Sequence, residues 1–252
     1  MKCLILAAGY ATRLYPLTRD FPKPLLEVRG KAILDWLIDD LGDDAGEFLV
    51  VSNHKFAGHF RAWAEGHERP IRVLDDGTGT NETRLGAVRD IQLAIEALDL
   101  RGDLLIIAGD NLLDFSLRDF IRYARQKQTT CVMRYWEASA DRLRRTGVAV
   151  VDADDRILEM EEKPAFPKSH WCVPPFYYCR ASDVGLVRAG IEAGCGVDAP
   201  GSFIAWLSGV TAVHAWEMPG RRYDIGDPAS YEEVKRSYCG VSVPDRSAAA
   251  HE

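Results

Sequence analysis

The succession of short apolar runs in the first half of the chain constrains the fold more than any other feature. Runs at 2–7, 48–51, 71–74 and 104–108 have the length and continuity of strands buried on both faces. Between them, Ile33, Leu34, Leu37, Ile38 and Leu41 recur at helical spacing, and further helices are expected at 56–64 and 85–98. Strands that alternate with helices are joined by right-handed crossovers, which makes their sheet parallel. The first half therefore reads as a doubly wound, Rossmann-like α/β sheet. After a helix at 117–126 the texture changes to closely spaced strand candidates at 131–136, 148–151, 157–160 and 172–179. This half is expected to make the sheet mixed, mostly parallel with a smaller antiparallel extension. A helix at 180–191, a strand at 210–216 and a closing helix at 231–237 complete the pattern.

The first strand runs into Leu6-Ala7-Ala8-Gly9-Tyr10-Ala11-Thr12-Arg13-Leu14. Small residues let the backbone amides approach an anion, and Arg13 adds charge-assisted hydrogen bonds. A turn with one glycine is also what a plain strand-to-helix connection needs, so Gly9 alone says little. Arg13 and Lys23 change that reading. Lys23 lies in Phe21-Pro22-Lys23-Pro24-Leu25, where flanking prolines make a stiff mount for a point charge.

Together these pieces resemble the signature of the sugar-1-phosphate nucleotidyltransferases, a G-x-G-T-R loop followed by P-K-P. Ala11 stands where that pattern has its second glycine. The resemblance extends in order along the chain. Ala108-Gly109-Asp110-Asn111 is similar to the family's G-D-N/H segment, and Asp224 in Tyr223-Asp224-Ile225-Gly226 to its second aspartate, in a W/F-x-D-x-G pattern. Glu161-Glu162-Lys163-Pro164 resembles its E-E-K-P segment, and Gly147-Val148 the end of its Y-G-V element.

The resemblance implies a nucleotidyltransferase that moves a nucleoside monophosphate from a nucleoside triphosphate to a sugar 1-phosphate. It implies Arg13, Lys23 and Lys163 as the charged catalytic groups, and Asp110 and Asp224 as ligands of Mg2+, a cation that prefers hard oxygens and keeps several waters. Leu6, Ala8, Gly9, Tyr10, Ala11, Thr12, Asp76, Gly86 and Asp110 are expected around the nucleotide, and Asn111, Gly147, Glu162 and Lys163 around the acceptor. Asp227, just before Pro228, reads instead as a helix N-cap. On this reading residues 1–240 form a single domain, nucleotide-binding over about 1–128 and substrate- and metal-binding over about 129–240, with 241–252 a disordered tail.

The match thins in two places. The base-reading glutamine before the third helix has no counterpart in 75–87, leaving Asp76, Thr78, Asn81 or a backbone group for that task, with the amides of Gly86 and Ala87 also available to the nucleotide. At Val173-Pro174-Pro175-Phe176-Tyr177 prolines replace the usual small residue and glycine. This keeps open phosphocholine or an aminoalkyl phosphonate as acceptor, with Trp171, Phe176, Tyr177 and Trp206 as a conceivable ammonium cage.

Bulk properties exclude other classes. A net charge of -7 and a pI near 5.5 are unlike a nucleic-acid-binding surface. No apolar run reaches the roughly 18 residues of a membrane span, so a cytoplasmic location is expected. The six cysteines show no C-x-x-C spacing and read as buried reduced thiols. The lack of G-x-G-x-x-G after the first strand argues against a dinucleotide oxidoreductase, while a non-catalytic nucleotide-sensing module stays open, as does assembly into a homo-oligomer.

Overall fold

A computed structural model of the chain describes residues 1–241; the expected disordered tail, apart from Val241, lies outside the described residues. Strand β1 (Lys2–Leu6) is followed by a small hairpin of β2 (Glu27–Val28) and β3 (Lys31–Ala32), then α1 (Ile33–Leu41) and β4 (Glu47–Ser52). Next come α2 (His54–Glu65), β5 (Ile71–Asp75), α3 (Ala87–Ala97) and β6 (Leu104–Ala108). The second half holds β7 (Asn111–Leu113), α4 (Leu117–Lys127), β8 (Thr130–Trp136), α5 (Ala140–Leu143), β9 (Gly147–Val151), β10 (Ile157–Glu162), β11 (Trp171–Val173) and β12 (Phe176–Cys179). It closes with α6 (Ala181–Val184), α7 (Val187–Glu192), α8 (Gly201–Ser208), β13 (Val213–Glu217), β14 (Arg222–Asp224) and α9 (Pro228–Ser237).

Ten strands form one sheet in the order β10-β9-β11-β8-β12-β6-β1-β4-β5, with β13 paired to β8. β1, β4, β5 and β6 are mutually parallel, while β12 runs antiparallel to β6 and β8, and β9, β10 and β11 extend the sheet antiparallel. The mixed, mostly parallel sheet with an antiparallel side is therefore the expected one. Successive residues of the central strands face opposite layers. Cys3, Ile5, Phe48, Val50, Leu105 and Ile107 pack with residues of α1, α2 and α4, whereas Leu4, Leu49, Val51, Leu104 and Ile106 pack with residues of α3, α7 and α8. Among the described residues no helix is long and apolar enough to cross a membrane.

Capping explains several boundaries. Asn53 Oδ1 accepts the amide of Phe56 at 3.0 Å and starts α2. Asp227 caps α9 as expected, accepting the amide of Ser230 at 2.7 Å with Pro228 in the first turn.

Two expectations need correction. The strand expected at 172–179 is two strands: Pro174 and Pro175 offer no ladder N–H, and the chain steps there from β8 and β9 to β6 and β8. The helix expected at 180–191 is likewise broken, with Gly185 closing α6. Helix α8 lies where no element was expected; its Phe203, Ile204 and Leu207 are buried. Its eight residues are apolar on most sides, so no amphipathic stripe marks it.

Candidate active site

A cavity of about 500 Å³ lies at the carboxyl ends of β1 and β6, between the parallel half and the antiparallel extension. Open α/β sheets place their ligands at this edge. Its wall includes Leu6, Ala8, Gly9 and Ala11 at the end of β1 and in the loop after it, Arg13 beyond it, Lys23, Asp110 from the turn after β6 and Asn111 from the start of β7. Opposite stand Gly147, Glu162, Lys163, Pro174 and Pro175, with Asp224 at the rim.

The loop after β1 is held from below: Asn53 Nδ2 donates to the carbonyl of Ala8 at 2.9 Å, and Gly109 N–H to that of Leu6 at 3.0 Å. Ala11, the residue in place of glycine, adopts φ 46°, ψ 43°. The left-handed turn is thus retained, and alanine bears a steric cost of roughly 1–2 kcal/mol that glycine would avoid. The turn is fastened by Thr18, whose hydroxyl donates to the carbonyl of Ala11 at 2.8 Å. Two residues of the loop lie outside the cavity wall. Tyr10 is 5% exposed and donates its hydroxyl to the carbonyl of Thr78 at 3.0 Å, so it braces the loop, while Thr12 opens a short 3-10 turn on the surface.

At the centre, Lys23 is 7% exposed and its Nζ lies 2.6 Å from Asp110 Oδ2. Burial alone would push the Asp110 carboxyl up, but the ammonium of Lys23 and the guanidinium of Arg222 outweigh it and hold the group below the usual carboxylate range. The second aspartate arrives by main-chain pairing: β14 lies antiparallel to β7, with Asp224 opposite Asn111. Residues so paired have Cα atoms about 4.5–5.5 Å apart, which puts Asp224 beside Asp110 although over a hundred residues separate them. Asn111, 2% exposed, fixes the arrangement, donating to Asp110 Oδ1 at 2.8 Å and accepting from Arg222 at 2.5 Å.

Arg222 was not foreseen, although it occupies the aromatic position of the W/F-x-D-x-G pattern. Burial disfavours its charge, but Asp224, Tyr135 and Asp110 more than offset this and raise its proton affinity. Among the described residues no cluster of three or more His, Cys, Asp or Glu gathers as metal ligands. The donor set on offer is thus two hard carboxylates, which suits a cation that takes its remaining ligands from water and phosphate.

On the opposite wall, Glu162 ends β10 and Lys163 follows with φ 51°, its amide bonded to the carbonyl of Thr146 at 3.2 Å. Burial pushes the Glu162 carboxyl up, Lys163 works against it and Asp198 adds to it. Gly147 makes room: a Cβ there would meet Glu162 Oε2 at 2.9 Å and Met160 Cε at 2.8 Å. A second such glycine, Gly201, was missed; its Cβ would fall 2.1 Å from the same oxygen.

The loop before α3 differs from expectation. Asp76 turns into its own loop, accepting from Thr78 N and Oγ1 at 2.7 and 2.8 Å, and does not line the cavity. The Ala87 amide, expected to face the nucleotide, donates instead to the carbonyl of Asp198 at 3.1 Å. Gly86 does line the cavity, but what demands glycine there is φ 92° and the carbonyl of Val197, 2.5 Å from where a Cβ would sit. The four aromatics of the conceivable ammonium cage do not converge. Phe176 and Tyr177 are core residues, Trp206 stacks on Phe203, Trp171 sits beside Trp136 and Arg134, and only Tyr177 reaches the cavity.

A glycine-bearing loop, a lysine–aspartate pair and a second carboxylate meet at the mouth of a doubly wound sheet, the edge at which such sheets place their ligands. The chain belongs to the nucleotidyl transferase family, whose model matches residues 2–239, and it is an enzyme of that type. It is 31% identical over 245 residues to a UTP–glucose-1-phosphate uridylyltransferase of Haloferax volcanii, covering 94% of this chain and 96% of the relative. It is also 32% identical over 203 residues to a glucose-1-phosphate thymidylyltransferase of Mycolicibacterium smegmatis, covering 75% of this chain and 64% of that one. A UDP-glucose pyrophosphorylase solved with UDP-glucose shares the fold, with TM-score 0.79 at 19% identity over 94% of this chain and 97% of its own.

Proposed function

We propose that this chain transfers a nucleoside monophosphate from a nucleoside triphosphate to a sugar 1-phosphate, with magnesium as the cation held by Asp110 and Asp224. The observation that carries this reading is the meeting of the Lys23–Asp110 pair, Asp224 and the phosphate loop in one cavity, with Glu162 and Lys163 on its far wall.

An oxygen of the acceptor phosphate attacks the α-phosphorus and forms a new P–O bond. The bond from that phosphorus to the bridging oxygen of the β-phosphate breaks, and pyrophosphate leaves with the electron pair. The nucleophile is already ionised, so no protein base is needed, and the protein's part is positioning and charge neutralisation. Bound magnesium would add positive charge to the phosphates. Arg13 and Lys23 neutralise the departing pyrophosphate, Lys163 steers the incoming phosphate, and Glu162 accepts a hydrogen bond from a sugar hydroxyl.

The test is pyrophosphate release from a matrix of nucleoside triphosphates and sugar 1-phosphates with magnesium, comparing wild type with Asp110→Asn. Wild-type turnover that falls by about 100-fold or more in the variant, the scale for losing one preorganised electrostatic group, supports the reading. Undiminished release from the variant, or none from wild type with any sugar 1-phosphate, would overturn it.

A further inference from the structure

Asp90 lies in the first turn of α3 and is buried along with Val88, Ile91 and Ala94. It is 5% exposed, and it forms part of the cavity wall together with Leu6, Ala8, Gly86 and Ala87. Nothing among the described residues compensates its carboxylate. Its Oδ1 is sealed from solvent without a hydrogen-bond partner, and the charged group acting on it is a second carboxylate, Asp76, whose own Oδ2 is likewise sealed and unpartnered. Burial, reinforced by Asp76, pushes the Asp90 carboxyl up to about 7. A buried carboxylate without a donor is costly, and such groups are normally paired or hydrogen-bonded. A core helix position next to Val88 and Ile91 would be filled more stably by an apolar residue. The other oxygen, Oδ2, is not sealed in this way, and since Asp90 lines the cavity, a donor for it has to come from whatever enters there.

We infer that Asp90 is a specificity-determining residue that accepts a hydrogen bond from the exocyclic amino group of the nucleobase, so that the enzyme prefers cytosine, adenine or guanine nucleotides to uracil or thymine ones. The inference rests on the nucleotidyl-transfer reading and deepens it. An ionised carboxylate only accepts hydrogen bonds, and a protonated one still has an accepting carbonyl oxygen. An amino group therefore satisfies Asp90 in either state. The Watson–Crick edges of uracil and thymine instead flank their single ring N–H with carbonyl oxygens. Only that one N–H could donate to Asp90, and pairing it would draw the flanking oxygens toward the two carboxylates of Asp90 and Asp76, whereas an amino group offers two donor hydrogens. A site whose buried polar group is matched by one ligand and left unpaired by another discriminates strongly between them.

The experiment is direct titration of the full chain with CTP, ATP, GTP, UTP, dTTP and dCTP in magnesium chloride at mildly alkaline pH, for wild type, Asp90→Asn and Asp90→Ala, each checked for a cooperative melt. Asparagine keeps the shape and replaces one acceptor oxygen by a donor. The expected result is at least tenfold tighter wild-type binding of one or more amino-bearing bases over UTP and dTTP. That ratio should fall at least tenfold in Asp90→Asn and flatten in Asp90→Ala. Wild type that binds UTP or dTTP as tightly as every amino-bearing nucleotide overturns the inference. So does a variant that weakens all six equally, or one whose effect separates CTP from dCTP and not CTP from UTP, which would assign Asp90 to the ribose. Failure of every triphosphate to bind wild type refutes the nucleotidyl-transfer reading, and this inference with it; binding without base preference refutes this inference alone.

Discussion

Replacing Gly201 by alanine perturbs the wall of the cavity that carries Glu162, proposed above to meet the acceptor, and little else. The added Cβ would fall 2.1 Å from Glu162 Oε2 and 3.1 Å from its Cδ, while the Tyr177 hydroxyl, at 3.4 Å, is already at ordinary contact distance. Restoring that distance forces the carboxylate back by roughly 1.3 Å, the scale of misplacement that costs an enzyme up to about 100-fold. Gly201 is the first residue of α8 and is not in the left-handed region, so the substitution should otherwise stabilise by about 0.4–1 kcal/mol through the unfolded chain. Two readouts thus move in opposite directions. The melting temperature should hold or rise, while kcat/KM for the sugar 1-phosphate should fall about 10- to 100-fold with the KM for the nucleotide unchanged. Steady-state kinetics with each substrate varied in turn, beside a thermal melt, makes the comparison. An unaltered acceptor kcat/KM would refute the idea that Glu162 needs the space left by this glycine, and an equal loss for both substrates would show that the change is not confined to the acceptor wall.

Ala11→Gly should raise stability by about 0.5–1 kcal/mol, because the left-handed strain removed exceeds the entropy that glycine adds to the unfolded chain; a urea titration showing a loss of 1 kcal/mol or more would contradict that. Asp90→Asn should change how stability depends on pH. The folded-state carboxyl titrates near 7 against an ordinary 3.8, so its protonated form is favoured by folding: the stability it supports is present below about pH 4 and lost as pH rises through 7. The variant should match wild type at the acid end and exceed it increasingly up to neutrality, by at most about 4 kcal/mol. A difference between the two melting curves that stays flat across that range would contradict the burial of an unpaired carboxylate.

Much of the architecture was legible because local and tertiary demands agree. Strands buried on both faces have to be continuous apolar runs, and 104–108 is bounded in the structure as it is in the sequence. Asp110 and Lys23 could be singled out because they sit beside features with a fixed mechanical role, a strand end and a pair of prolines. What escaped depends on partners distant in sequence. Arg222 is defined by Asn111 and Asp224, and β7 and β14 are three-residue strands that exist only as a pair. The roles of Gly86 and Gly201 are set by Val197 and Glu162; a glycine's neighbour in space leaves no trace in its own surroundings along the chain. Asp90 was hidden for another reason, since a lone acid in a helix normally marks its solvated face, and here it marks the opposite one. Asp76 and Tyr10 erred the other way: polar groups in a ligand-side loop can serve the loop itself.

The three-residue ladder of β7 and β14 has a consequence for how the site can fail. It is held apart from the large sheet, with few main-chain hydrogen bonds, so its opening needs only a small part of the free energy of global unfolding. If it frays, Asp224 drifts from Asp110 while every strand of the large sheet stays in register. Competence for chemistry is then set by a local equilibrium, and a cation held by the two carboxylates would act also as a clasp on it, drawing the closed population up in proportion to its occupancy. Damage to this clasp would leave a protein that melts normally, keeps its first loop intact, and turns over slowly.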